Sequence, residues 1–306
     1  MSGRWIHVSA LRERARAKEH EAVKARGAEA AEDRWRLRRI EEVPEWMAAN
    51  PYILTGYRMN YSFWMCIRSL FMVHNETGNV WTHLIGFLLF VGLAYHVVSS
   101  VIEASVFNYS VFFFYMLACL LCMASSTVYH LMCSHSEFVM RATLFVDFFG
   151  ISALITGSFI PPIYYVFSCY PYLRLLYMSQ ITILGGTTLI APWFKFFNSE
   201  EWAGRRVLLY CVTIASGLGP AAHGFFLFPP NLVTAPIHLG LVLMFLFYGL
   251  GTIIYVTRIP ESLYPGQFDY WFSSHQLWHI FVLAASVVHF FTCIGIYQRF
   301  SAPGEC

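Results

Sequence analysis

Seven long apolar segments follow one another along the chain and predict seven membrane-spanning helices. They cover residues 80–101, 110–132, 143–166, 173–194, 206–228, 235–257 and 275–297. Each is roughly 20 residues long, which is the length that a helix needs to cross the hydrocarbon core of a bilayer. Helices are expected because every backbone polar group must be paired within the membrane. The predicted fold class is an all-α integral membrane protein with seven transmembrane helices.

Polar residues concentrate before the first apolar segment, and their distribution divides the chain into four regions. Residues 1–33 form a charged arm, in which acidic and basic side chains are interleaved and so argue against nucleic-acid binding. Residues 34–79 contain more tryptophan and aliphatic residues and are predicted to form a juxtamembrane segment. Residues 80–298 form the seven-helix domain, and residues 299–306 form a short tail.

The composition agrees with the pattern of apolar segments. Hydrophobic residues make up 57% of the chain, charged residues make up 12%, and the mean hydropathy is +0.52. A soluble domain normally carries about twice this fraction of charged residues. The composition therefore excludes an ordinary water-soluble globular protein.

The distribution of basic residues predicts how the chain is oriented in the membrane. Of the 20 Lys and Arg residues, 18 lie before the first segment or in loops on the same side, and only Arg174 and Arg299 lie on the other. Basic residues favour the cytosolic side, so we expect a cytosolic N-terminus and a C-terminus outside. The plasma membrane is the expected location, with the Golgi or another endomembrane as the alternative.

Four ionisable residues are predicted at the same depth, near the cytosolic ends of three segments. His130 lies at the end of the second segment, Asp147 near the start of the third, and His275 and His279 at the start of the seventh. Ser126 lies one helical turn before His130, on the same face. Ionisable residues are costly inside a membrane and indicate function. We therefore treat these five residues as one candidate site.

The residue types in this candidate site are those of a catalytic zinc centre. His275 and His279 are four residues apart and share one helix face, which is a zinc-binding arrangement. His130 would supply a third nitrogen ligand, and a water molecule would take the fourth position. Asp147 would hold that water or accept its proton, while Ser126 would donate a hydrogen bond to the water or to a substrate oxygen.

A structural interpretation of the same histidines remains open at this point. A lone pair of histidines four residues apart is a weak motif, and histidines near a membrane surface often extend towards the headgroups. Histidines elsewhere in the segments have no ionisable partner predicted at their depth and are interpreted as packing residues: His83, His96, His223, His238 and His289. Pro161, Pro162 and the Gly217–Pro220 stretch are predicted to mark kinks or openings between helices.

The segments that carry the candidate site resemble the progestin and adipoQ receptor family, and most closely its adiponectin receptor branch. The matching stretches are HNETGNVWTHLIGF (74–87), SSTVYHLMCSHSE (125–137), FVDFFGISALITGSFIP (145–161) and RIPESLYPGQFDYWFSSHQLWH (258–279). The resemblance covers roughly residues 34–298. It implies seven helices and zinc bound by His130, His275 and His279. It also implies that Asp147 and Ser126 are the family's aspartate and serine beside the zinc.

The resemblance also implies a function, for which two hypotheses compete. The first is a receptor that hydrolyses ceramide-type lipid amides and releases a fatty acid, with Asp147 as base. The second is a non-catalytic receptor for an extracellular protein hormone or a steroid, with a structural zinc and a cytosolic adaptor on the N-terminal arm. A scaffold at an endomembrane is a third interpretation, in which the histidines would be dispensable.

Overall fold

The computed structural model describes residues 21, 24, 33–101 and 106–301 as an almost entirely helical chain. Two short 3₁₀ turns precede the helix that begins at Phe63, and the only β-type pairing in the described part is an isolated bridge between Arg38 and Tyr57. The helices are α1 (Phe63–Ser69), α2 (Thr77–His96), α3 (Val106–Met132), α4 (Glu137–Val166), α5 (Pro171–Ile190), α6 (Ala203–Ala215), α7 (Leu218–Leu227), α8 (Ala235–Thr257) and α9 (Ser274–Phe300).

The described residues contain seven helical stretches that are long and apolar enough to cross a membrane. This confirms the prediction of a seven-helix membrane protein. The stretches are Thr77–Val101, Asn108–Met132, Glu137–Val166, Pro171–Trp193, Glu200–Leu227, Ala235–Thr257 and Ser274–Phe300. We call the end of the bundle where α2, α4 and α9 begin the proximal end, and the opposite end the distal end. The sidedness in the membrane and the four predicted region boundaries stay predictions, and most of the charged arm lies outside the described residues.

Helices α3 and α9 form the centre of the bundle. Half or more of the apolar window is buried in each of them, 61% in α3 and 50% in α9, against 11% in α8 and 17% in α2. The apolar core joins the two helices through Phe112, Met123, Phe290 and Cys293, all of which are almost fully buried. Residues at the proximal ends of α3 and α9 are therefore held close together.

Prolines remove backbone hydrogen-bond donors at the two places where the sequence predicted kinks or openings, and the helix is divided at only one of them. Pro220 lacks an N–H for the Ser216 carbonyl four residues earlier, and the fifth span is divided there into α6 and α7. The Gln180 side chain donates instead to that Ser216 carbonyl at 3.1 Å. In α4 the helix continues through Pro161 and Pro162, and the Ser158 carbonyl accepts from His289 Nε2 at 2.7 Å.

Two buried carboxylates fasten the N-terminal segment to the loop before α9. Asp269 accepts hydrogen bonds from the Leu54 backbone at 2.9 Å and from Thr55 Oγ1 at 2.6 Å. Glu261 accepts from the Asn50 side chain at 3.0 Å and from the Ser274 backbone at 2.7 Å. Because Ser274 is the first residue of α9, these contacts fix the point from which the histidine-bearing helix starts.

Arg206 lies in a different position from the one expected. The sequence placed it in a loop among other basic residues, whereas it belongs to α6 and is 9% exposed. Its guanidinium lies 4.2 Å over the Phe148 ring and donates to the Phe197 carbonyl. It is therefore part of the bundle interior, packed against Phe148.

Close packing of α3 against α4 depends on Gly150, and this leads to a first prediction. A Cβ atom at Gly150 would lie 2.3 Å from Ser125 Oγ and 3.0 Å from the Cys122 backbone. The helices would have to separate, so Gly150→Ala is expected to destabilise the protein by about 1–3 kcal/mol. The measurement is the thermal unfolding midpoint in detergent.

Gly186 provides the matched control for this substitution. A Cβ atom there would meet no other atom within 4 Å, so Gly186→Ala is expected to leave the midpoint unchanged or to raise it slightly. Equal midpoints for the two variants would contradict the assigned contact between α3 and α4.

Candidate metal centre

Three histidine side chains converge at the proximal end, where the last turns of α3 meet the first turns of α9. Ring nitrogens of His130, His275 and His279 all lie within 4.8 Å of one another, and His130 and His279 are buried. The four-residue spacing on α9 directs His275 and His279 from one face towards His130. The structure thus brings together the three histidines that the sequence selected.

Hydrogen bonds at Nδ1 of His130 and His279 determine that their Nε2 atoms carry the free lone pairs. His130 Nδ1 lies 2.7 Å from a carboxylate oxygen of Glu76, and His279 Nδ1 lies 3.2 Å from the Asn79 carbonyl. Carboxylate and carbonyl oxygens only accept, so both Nδ1 atoms donate. A neutral ring that donates from Nδ1 keeps a lone pair on Nε2, which is the form that binds a metal.

The spacing of the free nitrogens fits a zinc ion. His130 Nε2 and His275 Nε2 are 3.3 Å apart. Two nitrogens at tetrahedral positions about 2.05 Å from zinc would be roughly 3.4 Å apart. The same distance also suits a hydrogen bond in which His275 Nε2 donates to His130 Nε2. Three nitrogen donors with one further tetrahedral position are also the usual set of a catalytic zinc site.

Glu76 is held beside His130 by the turn that precedes α2. The Glu76 N–H donates to His74 Nδ1 at 3.1 Å, and the Asn79 side chain donates to the Glu76 carboxylate at 2.6 Å. Burial lowers the pKa of His74 to about 3, so its ring stays neutral and can accept this bond. Burial tends to raise the pKa of Glu76, but the neighbouring His130 outweighs this effect and the pKa is lowered. Glu76 is therefore an ionised partner of His130.

A buried arginine supports the backbone on which His130 stands. Arg58 is 2% exposed and donates to the His130 carbonyl at 2.6 Å, the Leu131 carbonyl at 2.9 Å and Ser69 Oγ at 2.6 Å. The carbonyls at the end of a helix lack intrahelical donors and carry partial negative charge. Arg58 thus satisfies the end of α3 and links it to α1.

Asp147 and Ser126 lie together beside the histidines. Ser126 is 2% exposed and lies near the Asp147 carboxylate, which is 7% exposed and also lies near His130. Asp147 Oδ1 is buried and has no hydrogen-bond partner among the described residues. Asp147 does not belong to the group of three side chains that could hold a metal. Its free oxygen remains available to a molecule bound at the site.

Other unpaired polar atoms belong to two residues that contact His279. They are Asn79 Oδ1 and both ring nitrogens of His83, all buried and without a partner among the described residues. The His83 ring stacks on His279 with 3.8 Å between centroids and 14° between planes. Buried polar atoms are rarely left unpaired in native proteins. Their concentration here indicates that the centre accommodates a polar occupant.

Sequence reasoning did not select Glu76 and His83 for the site. His83 was interpreted as a packing histidine without an ionisable neighbour, whereas it contacts His279. Glu76 precedes the first apolar segment, and no function was assigned to it. Both residues lie in the first turns of α2 or just before it, so the depth comparison applied to α3, α4 and α9 would have found them.

Glu76 leads to a second prediction, which concerns metal affinity. Glu76→Gln removes the negative charge that holds His130 Nδ1 and is expected to weaken zinc binding about 10–100-fold, as is usual for partners of metal-bound histidines. The measurement is competition with a chelator of known affinity. Glu137→Gln, at the exposed start of α4, is the control that should bind zinc as the parent does. Unchanged affinity in Glu76→Gln would contradict the role given to Glu76.

Comparison with known proteins gives consistent matches over the same region. Residues 71–290 match the family described as haemolysin-III related. The chain is 34% identical over 259 residues to the adiponectin receptor protein of Drosophila melanogaster, covering 84% of this chain and 58% of the fly protein. It is 37% identical over 261 residues to heptahelical transmembrane protein 1 of Arabidopsis thaliana, covering 81% and 77%.

A mouse relative aligns over nearly its whole length. The chain is 32% identical over 279 residues to progestin and adipoQ receptor family member 3 of Mus musculus, covering 88% of each protein. The chain spans less than two thirds of the fly protein but most of the mouse one.

Proposed function

Because the chain belongs to the haemolysin-III-related family and, within it, to the progestin and adipoQ receptors, we propose that it is an adiponectin-receptor-like membrane receptor that hydrolyses ceramide-type lipid amides at a zinc centre. The observation that carries the proposal is the set of three histidine nitrogens beside the unpaired Asp147 Oδ1. A metal-binding set next to a free carboxylate oxygen is what metal-assisted hydrolysis requires.

The metal would be held by His130, His275 and His279. Zinc bound there would supply a water of lowered pKa and would polarise the amide carbonyl. Asp147 Oδ1 would take a proton from the water while the oxygen of that water bonds to the carbonyl carbon. Asp147 would then return that proton to the nitrogen as the carbon–nitrogen bond breaks. The products are a fatty acid and a free sphingoid amine.

Ser126 and the helices around Asp147 would set the geometry of this reaction. Ser126 lies near the Asp147 carboxylate, and its hydroxyl would donate its one hydrogen bond to the developing oxyanion. The acyl chain would extend into the apolar interior of the bundle.

The direct experiment is incubation of purified protein with ceramide labelled in its acyl chain. Release of labelled fatty acid and free amine in equal amounts supports the proposal.

A receptor with a structural zinc is the second candidate. The names of the fly and mouse relatives favour a receptor role, and a metal that joins α3 to α9 would stabilise the centre of the bundle. The two candidates differ in whether the fourth coordination position of the metal is open, as in a catalytic site, or closed, as in a structural one. In cobalt-substituted protein, an added hydroxamate should change the visible spectrum if that position is open. An unchanged spectrum together with absent hydrolysis would favour the structural zinc.

The orientation and partners follow from the same proposal. We place the proximal end and the N-terminus in the cytosol and the C-terminus outside, with the plasma membrane as the main location and the Golgi or another endomembrane as the alternative. An extracellular protein hormone would act at the distal end. A cytosolic adaptor would bind the N-terminal arm.

A further inference from the structure

Residues 50–58, which we call the strap, are linked by hydrogen bonds to both helices that carry the three histidines. At the start of the strap, the Asn50 side chain donates to the Glu261 carboxylate at 3.0 Å. The same carboxylate is fully buried and accepts from the backbone N–H of Ser274, the first residue of α9, at 2.7 Å. One buried carboxylate therefore joins the start of the strap to the start of α9.

The end of the strap is joined to α3 at His130 itself. Arg58 is 2% exposed, and its Nη2 atom donates to the His130 carbonyl at 2.6 Å. Its Nη1 atom donates to the Leu131 carbonyl at 2.9 Å and to Ser69 Oγ at 2.6 Å. The donors of a guanidinium group form a rigid planar fork, so three acceptors together determine where this group lies.

Further hydrogen bonds connect Arg58 to Glu76, the second partner of His130, and close a ring. His74 Nδ1 accepts from the Glu76 N–H at 3.1 Å, so His74 Nε2 carries the proton and donates to the Ser69 carbonyl at 3.1 Å. His130 Nδ1 donates to the Glu76 carboxylate at 2.7 Å. Arg58 thus holds His130 at its carbonyl and Glu76 holds it at its ring, and the two partners are themselves connected.

The position of His130 in its helix makes this support necessary. His130 lies in the last turn of α3, where backbone carbonyls have no intrahelical donor. Its Nε2 atom lies 3.3 Å from His275 Nε2. Groups at a metal site must be held within about 0.5 Å of their working geometry. A shift of the backbone at His130 would therefore displace one of the three nitrogens that could hold the metal.

We propose that Arg58 is a positioning residue of the metal centre, and that docking of the strap is coupled to metal binding. The docked strap holds the end of α3 and the start of α9 in the arrangement that the metal requires. By reciprocity, a bound metal stabilises the docked strap by the same factor. The inference rests on the metal binding in the proposed function, but it holds whether the metal is catalytic or structural.

The first test follows amide hydrogen exchange in the purified parent protein, with saturating zinc and after chelation. The backbone N–H groups of Leu54 and Tyr57 report docking, because they donate to Asp269 and to the Arg38 carbonyl. Loss of a partner of a metal-bound histidine weakens metal affinity about 10–100-fold. Zinc should therefore slow both exchange rates about 10–100-fold, since the same coupling acts in both directions.

The Arg174 amide is the internal control for the exchange measurement. It donates to the Tyr170 carbonyl at 2.9 Å in the first turn of α5, at the distal end, and should exchange at the same rate in both states. Zinc that binds without slowing the strap amides more than the Arg174 amide would overturn the coupling and leave the proposed function intact. A parent protein that binds no zinc would refute the metal centre, and with it both proposals.

Arg58→Met tests the positioning residue directly, because it keeps an unbranched side chain and removes every donor. Zinc affinity, measured by competition with a chelator, should fall about 10–100-fold. Arg141→Met is the matched control, since Arg141 is an exposed arginine of α4 that pairs with Glu137. The control should bind zinc as the parent does. Parent-like affinity in Arg58→Met would contradict the role given to Arg58.

Arg58→Lys covers the case in which Arg58→Met does not fold. Lysine keeps the positive charge but lacks the planar fork that spans the three acceptors, so zinc affinity should fall less than in Arg58→Met. The slowing of the Leu54 and Tyr57 amides by zinc should shrink in the same proportion as the affinity, a result that a purely structural role would not produce. Affinity that falls while this slowing stays at the parent's value would overturn the proposal.

Discussion

Asp147→Asn is expected to keep the bound zinc and to lose nearly all hydrolysis of ceramide. The three nitrogens that would hold the metal belong to other residues, and asparagine has almost the same shape as aspartate. An amide cannot accept the proton that Asp147 takes in the proposed reaction. General acid–base residues typically contribute about 10²–10⁴-fold, so turnover should fall by a factor in this range.

Zinc content and fatty-acid release should be measured on the same preparation of this variant. Asp33→Asn is the matched control, because Asp33 is an exposed carboxylate that pairs with Arg38 far from the centre. It should retain both zinc and turnover. Turnover within a factor of two of the parent in Asp147→Asn would remove Asp147 as the base, and loss of its zinc would place Asp147 among the metal-holding residues.

Removing both histidines of α9 is expected to have the second largest effect. His275→Ala/His279→Ala leaves one of the three nitrogen donors, which is too few to hold zinc at a structural or catalytic site. The variant should contain no zinc above background and should release no fatty acid. Because the metal would also join α3 to α9, its unfolding midpoint should stop responding to added zinc.

His135→Ala is the control for the double variant. His135 lies in the turn before α4, where its Nδ1 pairs with Ser136 Oγ and its ring packs on Phe63. This variant should bind zinc and release fatty acid as the parent does. Zinc retained by the double variant at the parent's stoichiometry would show that the metal binds elsewhere.

The seven spans were predictable because the bilayer requires each of them to be a helix with a long apolar stretch. Apolar length alone located the first span at 80–101 and the structure has it at Thr77–Val101. The third span begins at Glu137, six residues before the predicted start. Glu137 and Arg141 form an exposed ion pair in its first turns. A pattern of apolar residues cannot distinguish a charged first turn of a helix from a loop.

The three histidines were predictable because their depth follows from segment order and helix geometry. Spacing placed His275 and His279 on one face, and chain direction placed His130 at the same end of the bundle. The supporting contacts were not predictable in this way. Arg58 and Glu76 reach His130 from a turn-rich segment whose path depends on tertiary contacts, such as those of Asp269 with Leu54 and Thr55.

The most direct test of the account is zinc content and ceramide hydrolysis measured on one preparation of the parent protein, before chelation, after chelation and after zinc is restored. The account predicts about one zinc ion per chain, fatty-acid release that disappears with the zinc, and recovery when zinc returns. A parent protein that contains no zinc, or that releases fatty acid equally well without it, would contradict the account.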